Sequence, residues 1–337
     1  MTPTLVLTGQ HPSLDPADFG LDNYPRIDLG CAGQQNPHRH VGEVTRALLP
    51  RLMRDRPPLL IVQGDTSSAL GAALAGFAAR LPVAHVEAGL RTHDPLLPWP
   101  EEDYRTAIDA DAELLFAPTR LAAENLRAER LPGEIHVTGN SGIDALLEAS
   151  AGLPNPCRPS SPRILVTCHR RESWDYGLPS IAAALTQLAL EGADIEFVLH
   201  PNAFVAERMR GLFGHTRGIA LFEPCNHLEL LRRMRESTLV LSDSGGIQEE
   251  TPALGIPLLV LRDKTERPEG IIAGASRLVG TNAERIVAEV RGLLGNPTAL
   301  AAMARPVFPF GDGRASERIA AIIARWLEQR SLTRRLA

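Results

Sequence analysis

The chain has 337 residues, too many for one ordinary core, so two domains of about 150 residues each are expected. With 44% hydrophobic and 22% charged residues it has the composition of a globular protein, and no apolar run approaches the roughly 20 residues of a membrane-spanning helix, so no membrane partner is expected. A formal charge of −5 gives no basic field for nucleic acid, which argues against a nucleic-acid partner.

The opening segment MTPTLVLTGQHP has neither a basic n-region nor a long apolar h-region, and a cytoplasmic location follows as the expectation. Cys31, Cys157, Cys168 and Cys225 are scattered without CxxC spacing, so neither a metal site nor structural disulfides are expected. Short apolar runs at 4–8, 59–62, 83–86, 114–117 and 135–138 read as buried parallel strands, each followed by a helical stretch. The Pro-rich segment LPNPCRPSSP at 153–162 breaks this alternation and has the composition of a linker.

The pattern then restarts. Strands are expected at 164–167, 196–199, 239–242 and 258–261, with helices around 179–191, 203–213, 226–236 and 246–254. The expected fold class is α/β, two doubly wound Rossmann-like domains facing a cleft, with an N-terminal domain at 1–152 and a C-terminal nucleotide-binding domain at 163–314. A last helix at 315–337 is expected to pack back toward the N-terminal domain.

Ligands of open α/β sheets sit outside the carboxyl ends of the strands, so the residues that follow each strand carry the functional reading. After 59–62 comes Gln63-Gly64-Asp65-Thr66-Ser67-Ser68, where Asp65 or Thr66 is also a natural helix cap. After 83–86 the chain delivers Glu87 into HVEAGLRT and then, past a Pro-Trp-Pro turn, the pair Glu101 and Glu102. Separated carboxylates on a proline-stiffened loop fit one wall of an active site, the alternative for Glu87 being a surface ion pair with Arg91.

In the second half, Cys168-His169-Arg170-Arg171 follows a strand and suits a polyanion, because guanidinium groups bind phosphate bidentately and histidine exchanges a proton. Ser244-Gly245-Gly246 opens a helix whose unobstructed N–H groups can cradle phosphate, and Glu250 lies further along it, suited to ribose hydroxyls. The segment Arg262 to Glu269 reads either as part of that site or as a charged surface loop. Together these features describe a nucleoside diphosphate held by the second half, with carboxylates of the first half facing what it carries, as a nucleotide sugar requires.

The segments QGDTSSAL, HVEAGLRT, PWPEEDYR, VTGNSGIDAL, TCHRRES, SDSGGIQEE, RDKTERPEG and FGDGRASERI, in this order, resemble the non-hydrolysing UDP-N-acetylglucosamine 2-epimerases, which have a glycosyltransferase-B-like fold. The resemblance implies interconversion of UDP-GlcNAc and UDP-ManNAc by elimination of UDP to a 2-acetamidoglucal and re-addition, for surface polysaccharide synthesis, with no cofactor and no metal. It implies Asp65, Glu87 and Glu101 as the carboxylates of proton transfer and charge stabilisation, and His169 at the departing diphosphate. Ser244, Gly245 and Gly246 would hold the phosphates, Glu250 the ribose, and Arg267 the nucleotide or sugar side. Gln10, Arg170 and His200 match positions of a second, allosteric UDP-GlcNAc site, and a homodimer is expected.

The match has gaps. The family's opening strand with its Gly-Thr-Arg-Pro-Glu turn and lysine-bearing helix has no counterpart, TGQH aligning with the family's second strand, so one strand-plus-helix unit of roughly thirty residues is expected to be absent. Near the base, where the family often places an aromatic residue, Leu230 or His227 would serve. A nucleotide-sugar-binding protein without full catalysis, or a hydrolysing or glycosyltransferase relative, are the alternatives.

Overall fold

Leucine-, valine- and isoleucine-rich runs of three to five residues, too short for a helix and flanked by helical periodicity, become parallel strands throughout the chain. The computed structural model describes residues 2–11, 14–157, 161–168, 177–214 and 216–336, and divides the chain into two units, Met1–Thr138 with Glu317–Ala337, and Gly139–Ser316.

The first unit contains β1 (Leu5–Leu7), β2 (Arg26–Asp28), α1 (Pro37–Asp55), β3 (Leu60–Gln63), α2 (Ser67–Ala78), β4 (Val83–Val86), α3 (Glu101–Asp111), β5 (Leu114–Ala117), α4 (Arg120–Ala128) and β6 (Glu134–Val137). Its strands form two separate parallel pieces, β1–β2 and β3–β4–β5–β6. Side chains join the pieces at their carboxyl ends: the Thr8 and Ser68 hydroxyls are 2.8 Å apart, and Ser68 donates to the Gln10 amide oxygen at 2.6 Å. β4 and β5 are buried along their whole length, as central strands are, whereas β3 alternates and leaves Ile61 51% exposed beside the break.

The second unit contains α5 (Ser141–Ala151), β7 (Arg163–Thr167), α6 (Gly177–Leu190), β8 (Asp194–Val198), α7 (Ala203–Phe213), β9 (Ile219–Phe222), α8 (His227–Glu236), β10 (Leu239–Ser242), α9 (Gly245–Leu254), β11 (Leu258–Val260), α10 (Glu269–Ile272), β12 (Ser276–Leu278), α11 (Ala283–Leu294) and α12 (Pro297–Met303). Its six strands run in the order β12-β11-β10-β7-β8-β9. Numbered within the unit this is 3-2-1-4-5-6 read from the other edge, the doubly wound order whose switch point lies between β7 and β10.

The unit boundary falls at Thr138 and Gly139, ahead of the Pro-rich segment, because Ile143 and Leu146 of α5 pack with Val240, Ile247 and Leu258. The last helix, α13 (Ala315–Leu336), contributes Ile319 and Trp326 to a cluster with Ala84, Val86, Leu114 and Phe116 on β4 and β5. Among the described residues no helix is long and apolar enough to cross a membrane.

Candidate active site

In the first unit, β3 turns through Gly64 and Asp65 into α2. Thr66 is the N-cap, its hydroxyl accepting from the Ala69 N–H at 3.2 Å, so the helix start is satisfied without Asp65. Asp65 accepts instead from the guanidinium of Arg105, from Nε at 3.0 Å and also from Nη2. Arg105 is buried on α3 and its Nη1 donates to Glu102 at 3.0 Å.

The other oxygen of Glu102 accepts the N–H groups of Thr92 and His93 at 2.9 and 3.0 Å. The adjacent glutamates therefore separate in role. Glu102 points inward and fastens the loop, while half-buried Glu101 opens α3 at its positive end.

Glu87 follows β4 with a φ of +72°, in the left-handed region that non-glycine residues seldom occupy and that surrounding structure must enforce. Its N–H and that of Ala88 both donate to the Phe116 carbonyl at 3.1 Å, and the Gly64 N–H donates to the Val86 carbonyl at 3.0 Å. A carboxylate oxygen of Glu87 lies 3.4 Å from the position a Cβ on Gly64 would take, so the Asp65 turn and Glu87 lie side by side. Gly89 is fixed as glycine: its φ is +84° and a Cβ would meet the Ala122 carbonyl at 2.3 Å.

Beneath these loops lies a buried ionic network. His85 Nδ1 is 2.6 Å from Asp109 Oδ1, and His85 Nε2 is 3.0 Å from the Gly64 carbonyl. Asp109 Oδ2 accepts from the Gly89 N–H at 3.1 Å and from Arg91 at 2.8 Å. Arg91 is buried and also forks onto Glu129 at 2.7 and 2.8 Å, so it is not the surface partner that sequence spacing offered to Glu87. Burial opposes a charge on His85, but the charge and hydrogen bond of Asp109, with Gly64 and Glu87, outweigh it and raise the histidine above its usual range. Burial likewise opposes ionisation of Asp109, and His85 and Arg91 together hold its carboxyl below the usual range.

In the second unit the switch point is tied together by side chains. Thr167 and Ser242 hydroxyls are 2.7 Å apart, and the Cys168 thiol donates to Asp243 at 3.3 Å. Ser244 occupies the N-cap position of α9 but its side chain makes no capping bond. The first N–H groups of the helix therefore lack a side-chain cap at Ser244, the condition under which an anion is attracted.

The two glycines at this start differ. A Cβ on Gly245 would lie 2.8 Å from Arg267 Nη1, whereas one on Gly246 would meet nothing nearer than Glu250 Oε1 at 4.0 Å. Glu250 accepts from His227 Nε2 at 2.9 Å, and this hydrogen bond raises the His227 pKa.

Arg267 is buried. Its Nε donates to Glu249 at 2.6 Å and its Nη1 to Glu266, which also receives Arg262 at 2.9 Å. The remaining oxygen of Glu249 accepts from Asn140 Nδ2 at 2.6 Å. Arg262, Glu266 and Arg267 thus form a buried brace under the start of α9, with Arg267 against Gly245, while Asp263 and Lys264 between them are exposed at the surface.

Half-buried His200 accepts the Asn202 N–H at 2.9 Å through Nδ1, and Gln10 is held by Ser68 in the first unit. His169 and Arg170 lie outside the described residues. Arg105, His85 and Asp109 were not singled out in the sequence, and Glu102 was read there as half of a carboxylate pair and not as the partner of Arg105; the i, i+3 spacing of Glu102 and Arg105 is the local signal for that contact.

Parallel sheets with flanking helices, an uncapped helix start at the switch point of the second unit and carboxylates at strand ends of the first define a protein of glycosyltransferase-B-like architecture. The chain belongs to the UDP-N-acetylglucosamine 2-epimerase family, whose model matches residues 1–324.

Among curated relatives it is 43% identical to the UDP-N-acetylglucosamine 2-epimerase of Escherichia coli K12, the alignment covering 94% of this chain and 89% of that one. Among solved structures it is similar to the UDP-GlcNAc 2-epimerase of Neisseria meningitidis bound to UDP-GlcNAc, with a TM-score of 0.89, 33% identity and 95% and 91% of the two chains covered. At the level of fold alone the likeness reaches the sucrose-phosphate synthase of Thermosynechococcus elongatus, 16% identical with a TM-score of 0.59 over 100% and 99% of the chains.

Proposed function

We propose that the protein interconverts UDP-GlcNAc and UDP-ManNAc without hydrolysis, through a 2-acetamidoglucal. The observation that carries this reading is the Asp65 turn lying against Glu87, each held by hydrogen bonds, in a chain of this family. The relative from Neisseria meningitidis, which binds UDP-GlcNAc, supports the choice of substrate.

The C2 proton of the sugar has no neighbouring carbonyl and is not acidic, so direct deprotonation is unfavourable. Breaking the bond from C1 to the UDP oxygen while C2 loses its proton gives a C1=C2 double bond, free UDP and one proton held by the protein. Re-addition of UDP at C1, with a proton delivered to the other face of C2, gives the epimer. Proton removal and return on opposite faces require protonatable groups on both, which Asp65, Glu87 and Glu101 supply, and their negative charge stabilises the developing oxocarbenium ion.

Departing UDP is stabilised in this reading by the N–H groups at Ser244, Gly245 and Gly246, with His169 at the diphosphate and Glu250 at the ribose. Arg267 braces Gly245, and a contact of its own with the nucleotide or sugar side rests on the family resemblance. Gln10, Arg170 and His200 as a second UDP-GlcNAc site, and the homodimer, rest on the family resemblance.

Incubation of the purified chain with UDP-GlcNAc, followed by proton and phosphorus NMR, tests the proposal. UDP-ManNAc in equilibrium with substrate is the expected result; free N-acetylmannosamine with UDP would replace it by a hydrolysing activity.

A further inference from the structure

We propose that His85 is held as an imidazolium at neutral pH and is the positioning residue that ties the Asp65 turn to the Glu87 loop. Both ring nitrogens face acceptors. Nε2 lies 3.0 Å from the Gly64 carbonyl, which has no proton to give. Nδ1 lies 2.6 Å from Asp109 Oδ1, and the other Asp109 oxygen already accepts from Gly89 and Arg91. A neutral imidazole has a single N–H, so one of these two contacts would become lone pair against lone pair. The ring is fully buried, and bulk water cannot replace the missing donor.

The surrounding charges suit a cation. Asp109 faces the ring from α3 and Glu87 from the loop after β4, while the Gly64 carbonyl faces it from the turn after β3. Arg91 is bonded to Asp109 and to Glu129 at the end of α4, so His85 and Arg91 balance Asp109 and Glu129.

The contacts made by this clamp fall where the chemistry needs rigidity. The Gly64 carbonyl is the peptide that enters Asp65, and the Gly89 N–H lies two residues beyond Glu87, whose left-handed backbone must be enforced from outside. One buried ion pair thus fixes both loops relative to β4, without itself contacting substrate.

This inference rests on the proposed roles of Asp65 and Glu87, so its test includes readouts that need no turnover. In the full chain labelled with nitrogen-15, the signals lost in His85→Gln are those of His85. The expectation is that both ring nitrogens carry protons from mildly acid to mildly alkaline pH; one unprotonated nitrogen at neutral pH would overturn the proposal. His85→Gln should also speed amide exchange at 64–67 and 87–91 whether or not the protein turns over UDP-GlcNAc.

In the active protein that variant should lower kcat by about 10²-fold, the scale of a misplaced catalytic group, with KM within about twofold. Unchanged exchange and unchanged kcat would both count against positioning. Should His85→Gln not fold, Asp109→Asn gives the same decision. Loss of that carboxylate should bring the imidazolium pKa down, so that kcat acquires a fall with rising pH that the parent chain lacks; an unaltered profile would contradict the proposal.

Discussion

The two units solve the same problem, fixing polar groups at strand ends, by opposite means. In the first unit, side chains hold the loops: Arg105 clasps Asp65, Glu102 takes the N–H groups of Thr92 and His93, and the His85–Asp109 pair fastens Gly64 and Gly89. In the second, the surface proposed to meet the diphosphate is backbone at the start of α9, and Arg262, Glu266, Arg267 and Glu249 are buried beside it. Carboxylates that must exchange protons need orientation of individual side chains. A diphosphate needs only an approachable row of N–H groups on a stiff base, so small residues in front and ion pairs behind are sufficient.

That contrast can be broken at either end. Glu87→Gln keeps shape and removes the carboxylate, and should reduce epimerisation by about 10²–10⁴-fold, the range for a lost acid or base group, with unchanged thermal unfolding. Retained turnover would remove Glu87 from the mechanism. In the second unit the largest effect should be on folding: Glu249→Ala uncouples Arg267 and Asn140, and denaturant titration should show a loss of about 3–5 kcal/mol.

The two glycines that open α9 differ in the same way. Gly245→Ala drives a methyl into the Arg267 guanidinium and should cost about 1–3 kcal/mol of stability. Gly246→Ala, with space around it, should alter stability by less than about 1 kcal/mol yet raise KM, because the methyl stands where a phosphate would approach. Equal effects of the two substitutions on KM would mean that Gly246 does not face the ligand.

The smallest expected difference concerns pH. His85 and His227 both have pKa values raised by carboxylate partners, so each contributes stability that is complete below the usual value of 6.5 and is lost as pH rises through the folded-state pKa. His85 is fully buried and His227 half exposed. Unfolding measured across that window should therefore show more pH dependence removed by His85→Gln than by His227→Gln.

The central strands were legible in the sequence because burial on both faces leaves a mostly apolar run, as at β5 and β10, and at β4 with His85 as its one polar residue. The missed strands β2, β9 and β12 are all at sheet edges; in β2 and β12 half-exposed positions carry polar residues and the run disappears, whereas β9 keeps an apolar run, Ile219–Phe222, that was passed over. Expected as one doubly wound sheet, the first unit instead has two pieces, joined through Thr8, Gln10 and the serines that open α2.

Candidate carboxylates and the α9 glycines were readable from their positions after strands. Which of them is a ligand-facing group was not, since that depends on partners distant in the chain. Arg105 lies 40 residues from Asp65, and Asp109 lies 24 from His85. Thr66 as the cap released Asp65 for Arg105, and Glu249 with Glu266 turned Arg267 inward, neither of which local spacing reveals.

In the proposed reaction the first unit's carboxylates remove the C2 proton reversibly. Proton NMR of the chain with UDP-GlcNAc in deuterated water reads it directly. Deuterium at C2 of both UDP-GlcNAc and newly formed UDP-ManNAc is the predicted result. Ligand binding visible as line broadening, with no loss of the C2 proton signal over prolonged incubation, would contradict it.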